Sequence, residues 1–284
     1  MPLPTDVEGL RADGVGLVAG SITDLAGVTR AKYVPVRRLE AFQRAGMGVS
    51  PSWSVFCVDS GIAFTPNIGV DGDLRIRIDP AQLRLVDDGI AWAPGDLTDQ
   101  QGGAAALCTR SLLTGIESAL SARGLTAMLG TELECTMLSA DAGHASTDPW
   151  SPYGVRTSLD RSAFLVDLAG AAERAGLPVE QIHTEYGHDQ LEVSLTPTTP
   201  VAAADTVAAT RIVIGRAAAR HGLRISFSPV PFEGEAGNGA HLSLADGDGP
   251  LFSAWHGPAD QILAHKGDID DHGHTGRPIE RRRP

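Results

Sequence analysis

Over residues 1–98 apolar positions come in short runs broken by Gly, Pro and Asp, a pattern of brief strands and turns. Residues 1–12 suit a short leading helix. Between Gly14 and Val36, GVGLVAGSITDLAG and VTRAKYVPV read as two strands around a turn at Asp24 and Gly27. RRLEAFQRA, from Arg37 to Ala45, has helical spacing. Short strands are expected at Ser54–Val58, Leu74–Ile78, Leu83–Val86 and Ile90–Ala93. The pattern changes after Trp92-Ala93-Pro94-Gly95-Asp96. Ala105 to Arg123 predicts a helix closed by Gly124, Thr126 to Leu138 a strand, and Arg161 to Ala175 a helix closed by Gly176. Strands follow at Val179–Thr184 and Gln190–Thr196, then an Ala-rich helix from about Val201 to His221 closed by Gly222. Further strands are expected at Leu223–Ser228 and Ala240–Leu244. The chain thus reads as α+β, with a small strand-rich domain over 1–98 and a larger one over 99–254. Residues 255–284 carry charge, His and Gly without either period and predict a loose tail.

Composition narrows the function classes. The chain has 284 residues, 42% hydrophobic and 20% charged, which is ordinary for a globular protein. A formal charge of −12 argues against a nucleic-acid partner, which favours a basic surface. No apolar run is long enough to span a bilayer, and the first residues lack a basic stretch followed by an apolar one. The expectation is a soluble cytoplasmic protein without a membrane partner. Cys57, Cys108 and Cys135 have no metal-ligand spacing and are expected as reduced, mostly buried thiols.

Three constellations carry candidate chemistry. Glu132-Leu133-Glu134 places two carboxylates on one face of an otherwise apolar strand, because alternate residues on a strand share a face. TEYGHDQLEVSL places Glu185 at one strand end, then a short turn, then Gln190 and Glu192 together on the next face. Carboxylates gathered from neighbouring strands repel unless they hold hard cations such as Mg²⁺ or Mn²⁺. Two such ions are a common clamp for ATP phosphates. Gly237-Asn238-Gly239-Ala240-His241-Leu242-Ser243 offers two glycines for close backbone approach and then puts His241 and Ser243 on one strand face. GVGLVAG is a weak match to a dinucleotide loop, because no helix follows it, and no GxxxxGK[ST] occurs.

The order of these pieces resembles the glutamine synthetase family, in its branch of γ-glutamyl-amine ligases. E-x-E comes first, then E-x6-E with Gln two before the last Glu. An Ala-Ala-Asp helix ending in His-Gly and a Gly-x-Gly-x-His strand follow. The resemblance covers about residues 14–252. It implies a β-grasp N-terminal domain, from DLAGVTRAKYVPV through DLRIRIDP, followed by an antiparallel-sheet catalytic domain that is incomplete at its C-terminus. It also implies ATP-dependent ligation of ammonia or an amine to the side chain of glutamate through an acyl phosphate. By resemblance, Glu134, Glu185 and Glu192 would hold one divalent ion, and Glu132 and His241 the second. Gly237 and Gly239 would line the amino-acid site, and Ser243 would lie near the nucleotide. No residue is assigned a catalytic role beyond these.

Three departures from the family pattern qualify the expectation. Val49-Ser50-Pro51-Ser52 stands where ammonia-using members have Asp-Gly-Ser-Ser, so this chain resembles relatives that use other amines. His241-Leu242-Ser243 stands for a Gly-x-Gly-x-His-x-His strand, which leaves open which of the two histidines His241 represents. Nothing after Phe252 resembles the family segment that supplies a further glutamate and phosphate-binding arginines, and Arg281, Arg282 and Arg283 do not match it. The family forms rings, so a homo-oligomer is implied, and a non-catalytic assembly partner is the alternative reading.

Overall fold

The computed structural model describes residues 3–65, 71–246 and 249–256. The chain divides into two compact units, residues 1–123 with 174–176, and residues 124–173 with 177 onward.

In the first unit, α1 (Val7–Ala12) is capped by Asp6, whose carboxylate accepts the Gly9 N–H. β1 (Leu17–Thr23) and β2 (Thr29–Pro35) form the antiparallel hairpin expected from the sequence. Asp24 closes its turn by accepting the amides of Ala26 and Val28 and the Arg30 guanidinium at 2.6 Å, with Gly27 at φ 76°. α2 (Leu39–Arg44), β3 (Met47–Val49), β4 (Leu74–Ile78), β5 (Arg84–Asp87), β6 (Ile90–Thr98) and α3 (Thr109–Ser121) complete the unit. The sheet order is β2-β1-β6-β4-β3 with β5 also on β6, and β1–β6 is its parallel pair. A mixed sheet with Leu39 and Phe42 of α2 buried agrees with the β-grasp expectation.

Two local expectations are corrected. Pro94 argues for ending a strand at Ala93, yet β6 runs on to Thr98. On one edge it pairs with β5 through Trp92 and with β4 from Gly95, so Pro94 falls between those two partners, while on the other edge it lies opposite Ser21 of β1. Ser54–Val58 is not a strand. Ser50 accepts the Ser52 N–H, and Pro51 starts a 3-10 turn over Pro51–Ser54, leaving Phe56 only an isolated bridge to Ile62.

Of the glycines of GVGLVAG, Gly20 lies within β1 and serves its packing. A Cβ on Gly20 would lie 2.3 Å from Phe42 Cζ and 2.6 Å from Ile78 Cγ2. Gly20→Ala is therefore expected to overpack this core and lower stability by about 1–3 kcal/mol, read as a lower urea midpoint. An unchanged midpoint would contradict the packing.

The second unit contains β7 (Met128–Leu138), α4 (Val155–Leu159), α5 (Ser162–Arg174), β8 (Val179–Thr184), β9 (Gln190–Thr198), α6 (Pro200–Arg220), β10 (Arg224–Ser226), β11 (Ala240–Asp246) and β12 (Gly249–His256). Its antiparallel sheet has the order β12-β11-β7-β9-β8. β11 and β10 share the other edge of β7, β11 along Met128–Leu133 and β10 along Thr136–Leu138. α6 lies against this sheet through Ala203, Ala209, Val213, Ile214 and Ala217, mostly small side chains that permit close approach. α4 and β12 were not anticipated. The expected tail over 255–284 meets the end of β12 at Trp255 and His256. Residues 257–284, with Arg281, Arg282 and Arg283, lie outside the described residues. Among the described residues no helix is long and apolar enough to cross a membrane. The cysteines are free thiols, Cys108 and Cys135 buried and Cys57 exposed.

Candidate functional site

Register places a line of ionisable residues across four adjacent strands. His241 of β11 lies opposite Glu132 of β7, Glu134 of β7 opposite Glu192 of β9, and Glu192 opposite His183 of β8. The two-residue strand period puts Glu132 with Glu134, and Gln190 with Glu192, on one face, as expected.

The line resolves into two donor clusters that share Glu192. In one, the ligand atoms of Glu132, Glu192 and His241 lie within 4.8 Å of one another. His241 Nδ1 is 2.5 Å from Glu132 Oε2 and 3.8 Å from Glu192 Oε2. In the other, His183, Glu185 and Glu192 meet the same distance criterion. His183 Nε2 is 2.9 Å from Glu185 Oε1 and 3.5 Å from Glu192 Oε1. Tyr153 donates its hydroxyl to Glu185 Oε2 at 3.2 Å, and Trp150 Nε1–H donates to the Glu185 carbonyl at 2.7 Å.

Glu134 stands across from Glu192 but belongs to neither cluster. Its Oε2 accepts Gln190 Nε2–H and Gly239 N–H, each at 2.8 Å, while its Oε1 is 3.9 Å from His241 Nε2. Gly237 and Gly239 are buried with their backbone turned to this network. The Gly237 carbonyl lies 2.9 Å from Gln190 Nε2. Ser243 is exposed on β11, opposite Gly130. Glu132 with His241, and Glu185 with Glu192, are thus brought together, with Glu192 in contact with both sets.

Sequence reasoning missed three members. His183 is on β8 and Glu185 directly follows that strand, so an H-x-E at a strand end is the signal that reveals it. Tyr153 sits in the loop before α4 at φ 55° and has no pattern to announce it. Asn238, between the two glycines, plugs the gap between β10 and β11. Its Oδ1 accepts Thr136 Oγ1–H at 2.9 Å and lies 3.1 Å from Gln190 Nε2. Its Nδ2 donates to the carbonyls of Ser226 and Ser228 at 3.2 and 3.0 Å. Asn238→Ala would leave these buried groups short of partners. The expected cost is about 1–3 kcal/mol, read as a lower thermal midpoint. A midpoint equal to the parent's would contradict the role.

Electrostatics reflect the crowding. Burial, then the charge of Glu132, pushes Glu192 up to about 7, against the milder pull of His183 and His241. The hydrogen bond from His241 holds Glu132 below the usual carboxylate range despite partial burial. Burial would pull the His241 pKa down, but the hydrogen bond and charge of Glu132, backed by Glu192 and Glu134, raise it. Burial, reinforced by Glu134, pushes the Cys135 thiol up to about 12, which leaves it an inert core group.

The donor set fits divalent cations. Four carboxylates and two imidazoles converge, with Glu185 and Glu192 only 7% and 5% exposed, and Glu192 is destabilised as an anion unless positive charge arrives. Carboxylate oxygens with one histidine suit Mg²⁺ or Mn²⁺.

The family profile described as the glutamine synthetase catalytic domain matches residues 106–265. The gamma-glutamylpolyamine synthetase of Streptomyces coelicolor is 37% identical over 243 residues, 83% of this chain and 52% of that one. The glutamate–methylamine ligase of Methyloversatilis universalis is 28% identical over 254 residues, 84% of this chain and 54% of that one. A solved structure described as a novel glutamine synthase homolog superposes with a TM-score of 0.77 at 31% identity, over 84% of this chain and 57% of that one. The chain spans about half the length of the curated relatives it matches.

Proposed function

The chain belongs to the glutamine synthetase family, and from that premise we propose that it joins an organic amine to the side-chain carboxylate of glutamate, using ATP. The observation that carries the reading is the line of carboxylates with His183 and His241 across β11, β7, β9 and β8. Glutamate, ATP and the amine would give the γ-glutamyl amide, ADP and phosphate. The glutamate carboxylate attacks the γ-phosphorus of ATP, and the amine then displaces phosphate from the acyl phosphate.

Glu132, Glu192 and His241 would hold one divalent ion, and Glu185, Glu192 and His183 another, with Glu134 reaching towards the first through Oε1. When bound, the ions neutralise charge on the ATP phosphates. The chain's own residues keep the donors in place. Gln190 and the Gly239 N–H fix the Glu134 carboxylate, Asn238 fixes Gln190, and Tyr153 steadies Glu185. Their hydrogen bonds spare the site reorganisation when charge builds on the phosphoryl group. Gly237 and Gly239 would line the glutamate site, and Ser243 would face the nucleotide. A cytoplasmic homo-oligomer belongs to the same reading.

An amine larger than ammonia is favoured by the stretch Val49 to Ser52. Ser50 and Ser52 bond to each other at 2.9 Å, and the stretch holds no carboxylate that could bind ammonium. The names of the two curated relatives, a polyamine and a methylamine ligase, point the same way. The test offers glutamate, ATP and Mg²⁺ or Mn²⁺ with ammonia, methylamine, ethanolamine or a polyamine and weighs the products by mass spectrometry. A γ-glutamyl amide of an organic amine, in excess over glutamine, is expected. Glutamine as the main product would overturn the amine assignment, and no product from folded protein would overturn the activity.

A further inference from the structure

A second group of ring nitrogens and a carboxylate, sharing no residue with the carboxylate line, lies in the same unit. His144 follows β7, and His188 and Asp189 form part of the turn between β8 and β9. Asp189 is fully buried and sits at φ 60°, a region that residues with a Cβ rarely occupy. Its Oδ1 accepts from Arg161 Nη2 at 3.3 Å, and its Oδ2 accepts the Ser146 N–H at 3.1 Å. Both histidine rings turn a nitrogen to that same Oδ2, His188 Nδ1 at 3.0 Å and His144 Nδ1 at 3.7 Å.

The far side of each ring fixes where its hydrogen sits. His188 Nε2 is 3.1 Å from the Asp148 carbonyl oxygen, which can only accept, so Nε2 carries the hydrogen. His144 Nε2 is 3.1 Å from Glu235 Oε1, also an acceptor, so it too carries the hydrogen. In a neutral imidazole the other nitrogen is then a bare lone pair. With both rings neutral, two lone pairs converge on Asp189 Oδ2, while the Arg161 guanidinium meets only the other oxygen. His144 Nδ1 is accordingly a buried atom without a hydrogen-bond partner. The rings are braced, His144 stacked on Phe232 at 4.2 Å and edge-on to His188 at 4.9 Å, and His188 beside Trp150 at 5.5 Å.

We propose that His144, His188 and Asp189 form a site for a zinc-type transition-metal dication. Their ligand atoms lie within 4.8 Å of one another. Two imidazoles and a carboxylate are a donor set for zinc rather than magnesium, and three protein ligands leave a fourth position for water. Glu235 holds the outer nitrogen of His144 and the Asp148 carbonyl that of His188, the supports that orient metal-bound imidazoles and raise their basicity. Such an ion ties together the loop after β7, the β8–β9 turn and, through Glu235, the stretch leading to β11. Asp189 immediately precedes Gln190, so the ion also braces the amide that holds Glu134. The competing occupant is a second proton on each ring, which would satisfy the same lone pairs.

The test uses the full chain carrying Glu192→Gln, which removes the residue shared by the two carboxylate clusters. It is saturated with Mg²⁺, given Co²⁺ or Zn²⁺, and dialysed. One equivalent of Co²⁺ retained, with the visible bands of a four- or five-coordinate ion, is expected, and X-ray absorption of the zinc form should count two imidazoles. In that background His144→Gln or His188→Gln should abolish retention, and Glu235→Gln should weaken affinity about 10–100-fold. No retained ion, retention unchanged by both histidine substitutions, or an absorption spectrum without two imidazoles would overturn the site. The imidazole count on the histidine-containing protein decides the matter even if a histidine variant fails to fold.

Discussion

Glu192→Gln is expected to lower ligase kcat/KM about 10³-fold while leaving the metal-free protein at least as stable as its parent. Glu192 is 5% exposed, touches His183 at 3.5 Å and His241 at 3.8 Å, and is the one residue common to both donor clusters. Removing its charge takes a ligand from each cluster at once, which is why the catalytic loss should be large. The same charge opposes folding when no cation is present, because burial and Glu132 disfavour the ionised form. The amide keeps the shape without the charge, so a metal-free urea midpoint equal to or above the parent's is expected. Activity follows ADP formation with glutamate and the best amine. A variant that loses stability and activity together would mean that Glu192 is a packing residue.

The second large effect concerns the cations themselves. Mg²⁺ or Mn²⁺ at 100 times its dissociation constant should stabilise the parent by about 2.7 kcal/mol for each ion held, because it binds the folded state alone. For a chain of this size that raises the thermal midpoint by about 5–10 °C. Glu132→Gln and Glu185→Gln should each remove part of the shift, and Glu192→Gln most of it. Ser243→Ala should leave it intact, since Ser243 is exposed and outside both clusters. Equal shifts in the parent and in Glu192→Gln would place the cations elsewhere.

Much of this site was legible because strands have a period of two. Glu132 with Glu134, and Gln190 with Glu192, could be set on one face before any strand pairing was known. Cross-strand neighbours could not, because the register between β7 and β9 depends on tertiary packing. That is why the expected division of ligands, Glu134 with Glu185 and Glu192, differs from clusters in which His183 takes a place and Glu134 is held by Gln190 and Gly239. Asn238 was read only as a residue between two glycines. Its part in filling the gap between β10 and β11 arises from contacts more than a hundred positions apart in sequence. In the fold, hairpin and helix ends were readable from turn residues and stop glycines such as Gly124, Gly176 and Gly222, all at positive φ. Pro94 misled because a strand that changes partners can accommodate a proline, and Ser50-Pro51 turned an apparent strand into a capped 3-10 turn.

The most direct measurement of the central claim supplies glutamate labelled with ¹⁸O in its side-chain carboxylate, with ATP, Mg²⁺ and the accepted amine, and weighs the phosphate released. Transfer through an acyl phosphate predicts one ¹⁸O in each phosphate, with release abolished by Glu192→Gln. Unlabelled phosphate would show that ATP is hydrolysed without activating glutamate and would contradict the account.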